Sequence, residues 1–215
     1  SALFARDGLQ AMIRETAAAG APRIVLIAHS MGSQLVMETL RQMALDGSLG
    51  QVPLGGVILI SPDVDVDLFR SQAARIGRLP QPFLVITSQR DRVLRLSATL
   101  TGQPDRLGNL ASPERVAGLG VTVLDITAFG NGDGHFTVAD SPALIQLLGR
   151  IGAVDAALSN DASGALPLIP GTILTLQNTT EALLSPLIDG QPRRLQLPFL
   201  LPRRGARPVE VVTDG

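Results

Sequence analysis

The chain switches between two hydrophobic periods, and the switches mark its elements. Residues 2–19 carry Leu9, Met12, Ile13 and Ala17 at helical spacing, and Gly20 followed by Pro22 supplies the stop expected past a last turn. Residues 23–28 are then apolar without alternation, which predicts a strand covered on both faces. Val36, Leu40, Met43 and Ala44 return to helical spacing, so a helix is expected from about Ser30 to Leu45, closed by Asp46-Gly47. A second buried strand reads at Gly56–Ile60, followed by a helix that opens in Asp63-Val64-Asp65-Val66-Asp67 and runs to about Gly77. A third strand covers Pro82–Thr87, two short helical pieces fall within 93–118, and a fourth strand covers Val121–Ile126. Ser141-Pro142 opens a last helix, with serine as N-cap and proline at the first helical position.

Strand and helix in regular alternation make the pattern of a parallel α/β sheet. Functional groups in such sheets gather beyond the carboxyl ends of the strands. Ser30, Asp63, Asp91 and His135 each follow a predicted strand, so one rim should hold all four. The alternation stops near Ala153. Residues 157–171 read as a linker, Gly171–Gln177 as one strand, and 191–208 as a Pro- and Arg-rich stretch. The expected division is a core at 1–152 and, at 153–215, a linker and irregular accessory tail that wraps the core or meets a partner.

Composition narrows the chemistry. Apolar residues make up 45% and charged residues 17% of the 215, the balance of a folded protein rather than a disordered one. A net charge of −1 gives no reason to expect nucleic acid or an anionic membrane as partner. All 18 basic residues are arginine, so lysine Schiff-base and general-base chemistry is excluded. With no cysteine, disulfides, thiolate catalysis and cysteine-ligated zinc are excluded too, and the compartment is left open. No transmembrane segment is expected, because the longest apolar tract of the tail is broken by Pro167, Pro170, Gln177 and Glu181. Imidazole chemistry has two places to reside, His29 and His135.

The stretch Ile24-Val25-Leu26-Ile27-Ala28-His29-Ser30-Met31-Gly32 runs from strand pattern straight into helix pattern. So sharp a turn strains the residue at its tip outward and crowds the positions two before and two after, where Ala28 and Gly32 are small. It has the form of a nucleophile elbow with alanine in place of the usual first glycine. Ser30 is then the nucleophile, and the Met31 amide at the helix N-terminus is an oxyanion donor. The rival reading is a turn serine that caps the helix.

Serine acyl transfer needs a base within reach of the hydroxyl and a carboxylate that orients the base. Ser30, Asp91 and His135 occur in the order serine, acid, histidine, each on a loop after a strand. His29 adjoins the serine and leaves the strand on another face, so it reads as structural and His135 as the base. The glycines of 130–134 would let the backbone carry His135 over the elbow. Asp63, after the neighbouring strand, is the alternative acid. Asp63, Asp65 and Asp67 together read as negative charge at a helix start rather than a metal site. The glycine-rich 130–134 run has neither a lysine nor an immediate helix, so it is not read as a phosphate loop.

Ala28-His29-Ser30-Met31-Gly32, Ser61-Pro62-Asp63-Val64-Asp65 with Phe69, Ser88-Gln89-Arg90-Asp91-Arg92-Val93-Leu94 and Arg106-Leu107-Gly108 occur in order. Together they resemble a bacterial α/β-hydrolase family of unknown function in the esterase/lipase superfamily, over about residues 10–150. The resemblance implies a parallel-sheet α/β-hydrolase fold and a Ser30–His135–Asp91 triad, without naming a substrate. Such folds have several strands ahead of the elbow strand, one of whose loops gives the second oxyanion amide, and here one helix precedes it. The expectation is therefore the C-terminal portion of the fold, with an apolar edge strand that pairs with an N-terminal half or partner chain.

The expected activity is cleavage of a small-molecule carboxylic ester through an acyl-enzyme, with no metal or organic cofactor. A peptidase, thioesterase or acyltransferase would use the same three residues. The alternative from another class is a non-catalytic, hydrolase-like interaction module.

Overall fold

The computed structural model describes residues 2–88, 106–110, 113–127, 172–176, 181–186 and 195–198. Helix α1 (Ala2–Ala18) leads into strand β1 (Ile24–His29), helix α2 (Gly32–Leu45), strand β2 (Leu54–Ile60), helix α3 (Val66–Ile76) and strand β3 (Phe83–Thr87). Strand β4 (Thr122–Asp125) follows, then β5 (Thr172–Leu176), β6 (Glu181–Pro186) and β7 (Leu195–Pro198). The seven strands among the described residues form one sheet in chain order, parallel from β1 to β5 and antiparallel from there to β7.

Register explains how the core is built. Ala28, Leu59, Val85, Val123 and Ile173 lie side by side across five strands, and Leu26, Val57 and Phe83 form the row below. Both rows face the helices, where Ile13 of α1, Met37, Leu40 and Met43 of α2, and Phe69, Ala73 and Ile76 of α3 close over them. Full burial of each of the larger of these side chains contributes about 1.5–3 kcal/mol, so this layer fixes where the strands end and hence where the rim residues sit. Buried Glu38 ties the helices to one another. Its carboxylate accepts from Arg41 Nε at 2.9 Å and a terminal Arg41 nitrogen at 2.6 Å, from Gln72 Nε2 of α3 at 3.2 Å, and from Arg6 of α1 at 3.5 Å. The Arg41 hydrogen bonds are the main reason its carboxyl lies below the ordinary glutamate range, against the opposing effect of burial.

Three expectations need correction. Met12 was placed on the apolar face of the first helix, yet it is exposed; the buried stripe runs through Gln10, Ile13 and the half-buried Leu9 and Ala17. The first strand was expected to be covered on both faces. In the row Ile27–Ile58–Leu84, exposure falls from 57% to 3% to 0%, so the sheet is covered on both faces at β2 and β3 but not at β1. Among the described residues β1 pairs with β2 alone, and an edge strand lacks the neighbour that would shield it. Finally, the region expected to be an irregular tail supplies three strands. The predicted Gly171–Gln177 strand is β5, whereas β6 and β7 were not anticipated: each is short and ends in proline, Pro186 and Pro198.

Of the elements predicted between 89 and 150, the described residues contain β4 and two 3-10 turns, Leu107–Asn109 and Pro113–Val116. The helix expected at Ser141-Pro142 lies outside them. No helix among the described residues is long and apolar enough to cross a membrane.

Candidate active site at the carboxyl rim

Two residues, Ser30 and Met31, separate β1 from α2. Ser30 takes a left-handed backbone, φ 51°, which a residue with a Cβ adopts at a cost of roughly 1–2 kcal/mol. The surrounding hydrogen bonds hold it there. Its N–H donates to the Ile60 carbonyl at 3.0 Å, completing the β1–β2 ladder, while its carbonyl accepts from Ser33 N–H at 3.0 Å and Asp63 N–H at 3.2 Å. Ser30 thus carries the ladder one residue past β1 and is the first to receive a bond from the helix. The helix was expected to begin at Ser30; it begins at Gly32 because the left-handed turn must come first.

Local packing allows this turn. Ala28 is buried, and a Cβ on Gly32 would stand 3.9 Å from the Ala28 Cβ, an ordinary contact with little room for more. Met31 follows with helical dihedrals and an exposed side chain. The turn closes through Ser33 N–H to the Ser30 carbonyl and Gln34 N–H to the Met31 carbonyl. The Met31 amide therefore sits at the open, electropositive end of α2.

The capping alternative for Ser30 can be judged against the next helix. Asp65 caps α3 with extended dihedrals (φ −61°, ψ 139°), and its carboxylate accepts from Asp67 N–H at 2.9 Å and Leu68 N–H at 3.0 Å. Ser30 has neither the extended backbone of a cap nor a side-chain bond to the first turn of α2. It is held as an elbow residue.

The neighbouring carboxylates are engaged. Asp63 Oδ1 lies 3.4 Å from Arg106 Nε, Asp65 caps α3, and Asp67 pairs with Arg115 at 2.6 Å. Residues 106–108 lie along the loop that holds Asp63. Leu107 N–H donates to the Val64 carbonyl at 2.8 Å, Gly108 N–H to the Pro62 carbonyl at 2.9 Å, and Ser88 N–H, just beyond β3, to the Gly108 carbonyl at 3.0 Å. Ser30 and Asp63 are brought together at one rim; Asp91 and His135 lie outside the described residues. Sequence reasoning had no role for Arg106 beyond the Arg106-Leu107-Gly108 run. A buried arginine in a chain whose every cation is arginine has no spacing signal that names its partner.

A parallel sheet layered with helices, whose edge strand turns through a left-handed serine directly into a helix, belongs to the α/β-hydrolase class. The model of the family described as "Alpha/beta hydrolase of unknown function (DUF900)" matches residues 1–151, and the chain belongs to that family. No curated protein and no solved structure matches the chain.

Proposed function

We propose that the chain is a serine hydrolase that cleaves carboxylic esters through an acyl-enzyme. Ser30 Oγ attacks the ester carbonyl, His135 takes the hydroxyl proton and returns it to the leaving alcohol, and Asp91 orients His135. The Met31 amide receives the developing oxyanion, and water then releases the acid. The observation that carries this reading is the left-handed backbone of Ser30 between β1 and α2. Asp91 is preferred to Asp63 as the acid because the Asp63 carboxylate is paired with Arg106. The test is a fluorophosphonate probe on the full chain, read by intact mass. One adduct that vanishes in Ser30→Ala is expected; a folded chain that takes no adduct overturns the reading.

One observation favours a second reading, a non-catalytic module that pairs through β1. Val25 and Ile27 are 41% and 57% exposed on the uncovered face of that strand. Ile24 and Ser30 N–H groups bond towards β2, so the alternation of a strand turns those of Val25 and Ile27 to the edge that pairs with no other strand among the described residues. On this reading, sedimentation of the chain reports association that Ile27→Lys abolishes, while the probe gives no adduct.

A further inference from the structure

The carbonyl of Ser30 receives one hydrogen bond from its own helix and one from a different element, the Asp63 amide. A left-handed residue bearing a side chain persists where its surroundings over-determine it. The second bond is therefore only as firm as the five-residue loop, 61–65, that presents it. That loop is itself anchored from the far side. Leu107 and Gly108 bind the carbonyls on either side of Asp63, and the Asp63 carboxylate meets Arg106. The pair is shielded, with side-chain exposures of 18% for Asp63 and 9% for Arg106, so removal of either partner leaves a poorly solvated charge.

Resting on Ser30 as the nucleophile, we propose that Asp63 and Arg106 form a positioning clamp: the ion pair fixes the loop, the loop fixes the Asp63 amide, and the amide fixes the Ser30 backbone. Neither residue touches substrate. The segment at 106–108 thereby controls nucleophile geometry from the other side of the β2–α3 loop, and Asp63 contributes to the reaction through its backbone and its anchor rather than as a triad acid.

The experiment compares the full chain with Asp63→Asn, Arg106→Met, the double variant, Arg106→Lys, and Asp67→Asn as control. The readouts are the maximal fluorophosphonate labelling rate of Ser30, the probe concentration at half that rate, and deuterium uptake of a peptide spanning 24–34. Misplacing a reacting group by about an ångström costs on the order of 100-fold. Asp63→Asn and Arg106→Met should therefore label about 10- to 100-fold more slowly with half-saturation unchanged. The double variant should be no slower than the worse single, Arg106→Lys should recover part of the rate, and Asp67→Asn should behave as the parent. Parent-like rates in Asp63→Asn and Arg106→Met overturn the clamp while the nucleophile stands. If the parent takes no label, the nucleophile reading falls and deuterium uptake decides the clamp. Faster uptake at 24–34 in Asp63→Asn than in the parent and Asp67→Asn then supports it, and equal uptake overturns it. Should Arg106→Met not fold, Asp63→Asn and Arg106→Lys carry the same comparison.

Discussion

The two strand-to-helix connections of the first half make an instructive pair. Both β1 and β2 are followed by a serine in the left-handed region, Ser30 at φ 51° and Ser61 at φ 42°. After Ser61 the chain takes four more residues to reach α3, and Asp65 fills that helix's N-terminus with a carboxylate. After Ser30 it takes one, and no side chain among the described residues caps α2. The long connection satisfies donors of its helix start with a side chain, whereas in the short one Ser33 and Gln34 N–H bond to the Ser30 and Met31 carbonyls. One fold thus places a helix start capped by a carboxylate next to one that, among the described residues, has no side-chain cap.

The sharpest break of this comparison is Ser30→Gly. Glycine accepts the left-handed backbone freely, and the relief of roughly 1–2 kcal/mol exceeds the entropy glycine loses on folding, about 0.5–1 kcal/mol. Labelling should vanish entirely while the melting temperature holds or rises; a fall in melting temperature would mean that the Ser30 hydroxyl is structural. Asp65→Ala should shift the balance the other way, lowering stability by about 1 kcal/mol in urea unfolding while labelling persists at a reduced rate.

Glu38 sharpens the contrast from a distance, since its network joins the helices rather than the rim. Glu38→Gln should destabilise by about 1 kcal/mol with labelling intact. Because folding lowers the Glu38 pKa, its ionised form stabilises the native state most above the ordinary glutamate value, and that contribution is lost as pH falls through the lowered one. The gap between parent and Glu38→Gln in urea midpoint should therefore be full near neutrality and shrink as pH falls below the ordinary glutamate range. The smallest effect expected is that of Gly32→Ala, within about 0.5 kcal/mol, because the new Cβ would meet Ala28 at ordinary contact distance. A large loss of labelling there would show the elbow to be tighter than the 3.9 Å spacing implies.

The fold class and the elbow were legible in the sequence because both rest on local signals. Continuous apolar runs at Ile24–Ala28, Val57–Ile60 and Phe83–Ile86, separated by stretches of helical period, specify parallel strands by themselves, though not the open face of the first. Small residues at 28 and 32 around a serine specify the turn through short-range sterics. The exposure of Met12 and the addition of β6 and β7 were not legible, since they depend on which surfaces the rest of the chain covers and which strand edge stands open. The sequence by itself determined that a serine would stand at the tip of a strand–helix turn on the carboxyl rim. Only the tertiary structure decided that Asp65 caps α3, that Asp63 pairs with Arg106 and that its amide reaches the Ser30 carbonyl. Charge pairing between residues 43 positions apart is set by how the rim folds over itself, and no local period encodes it.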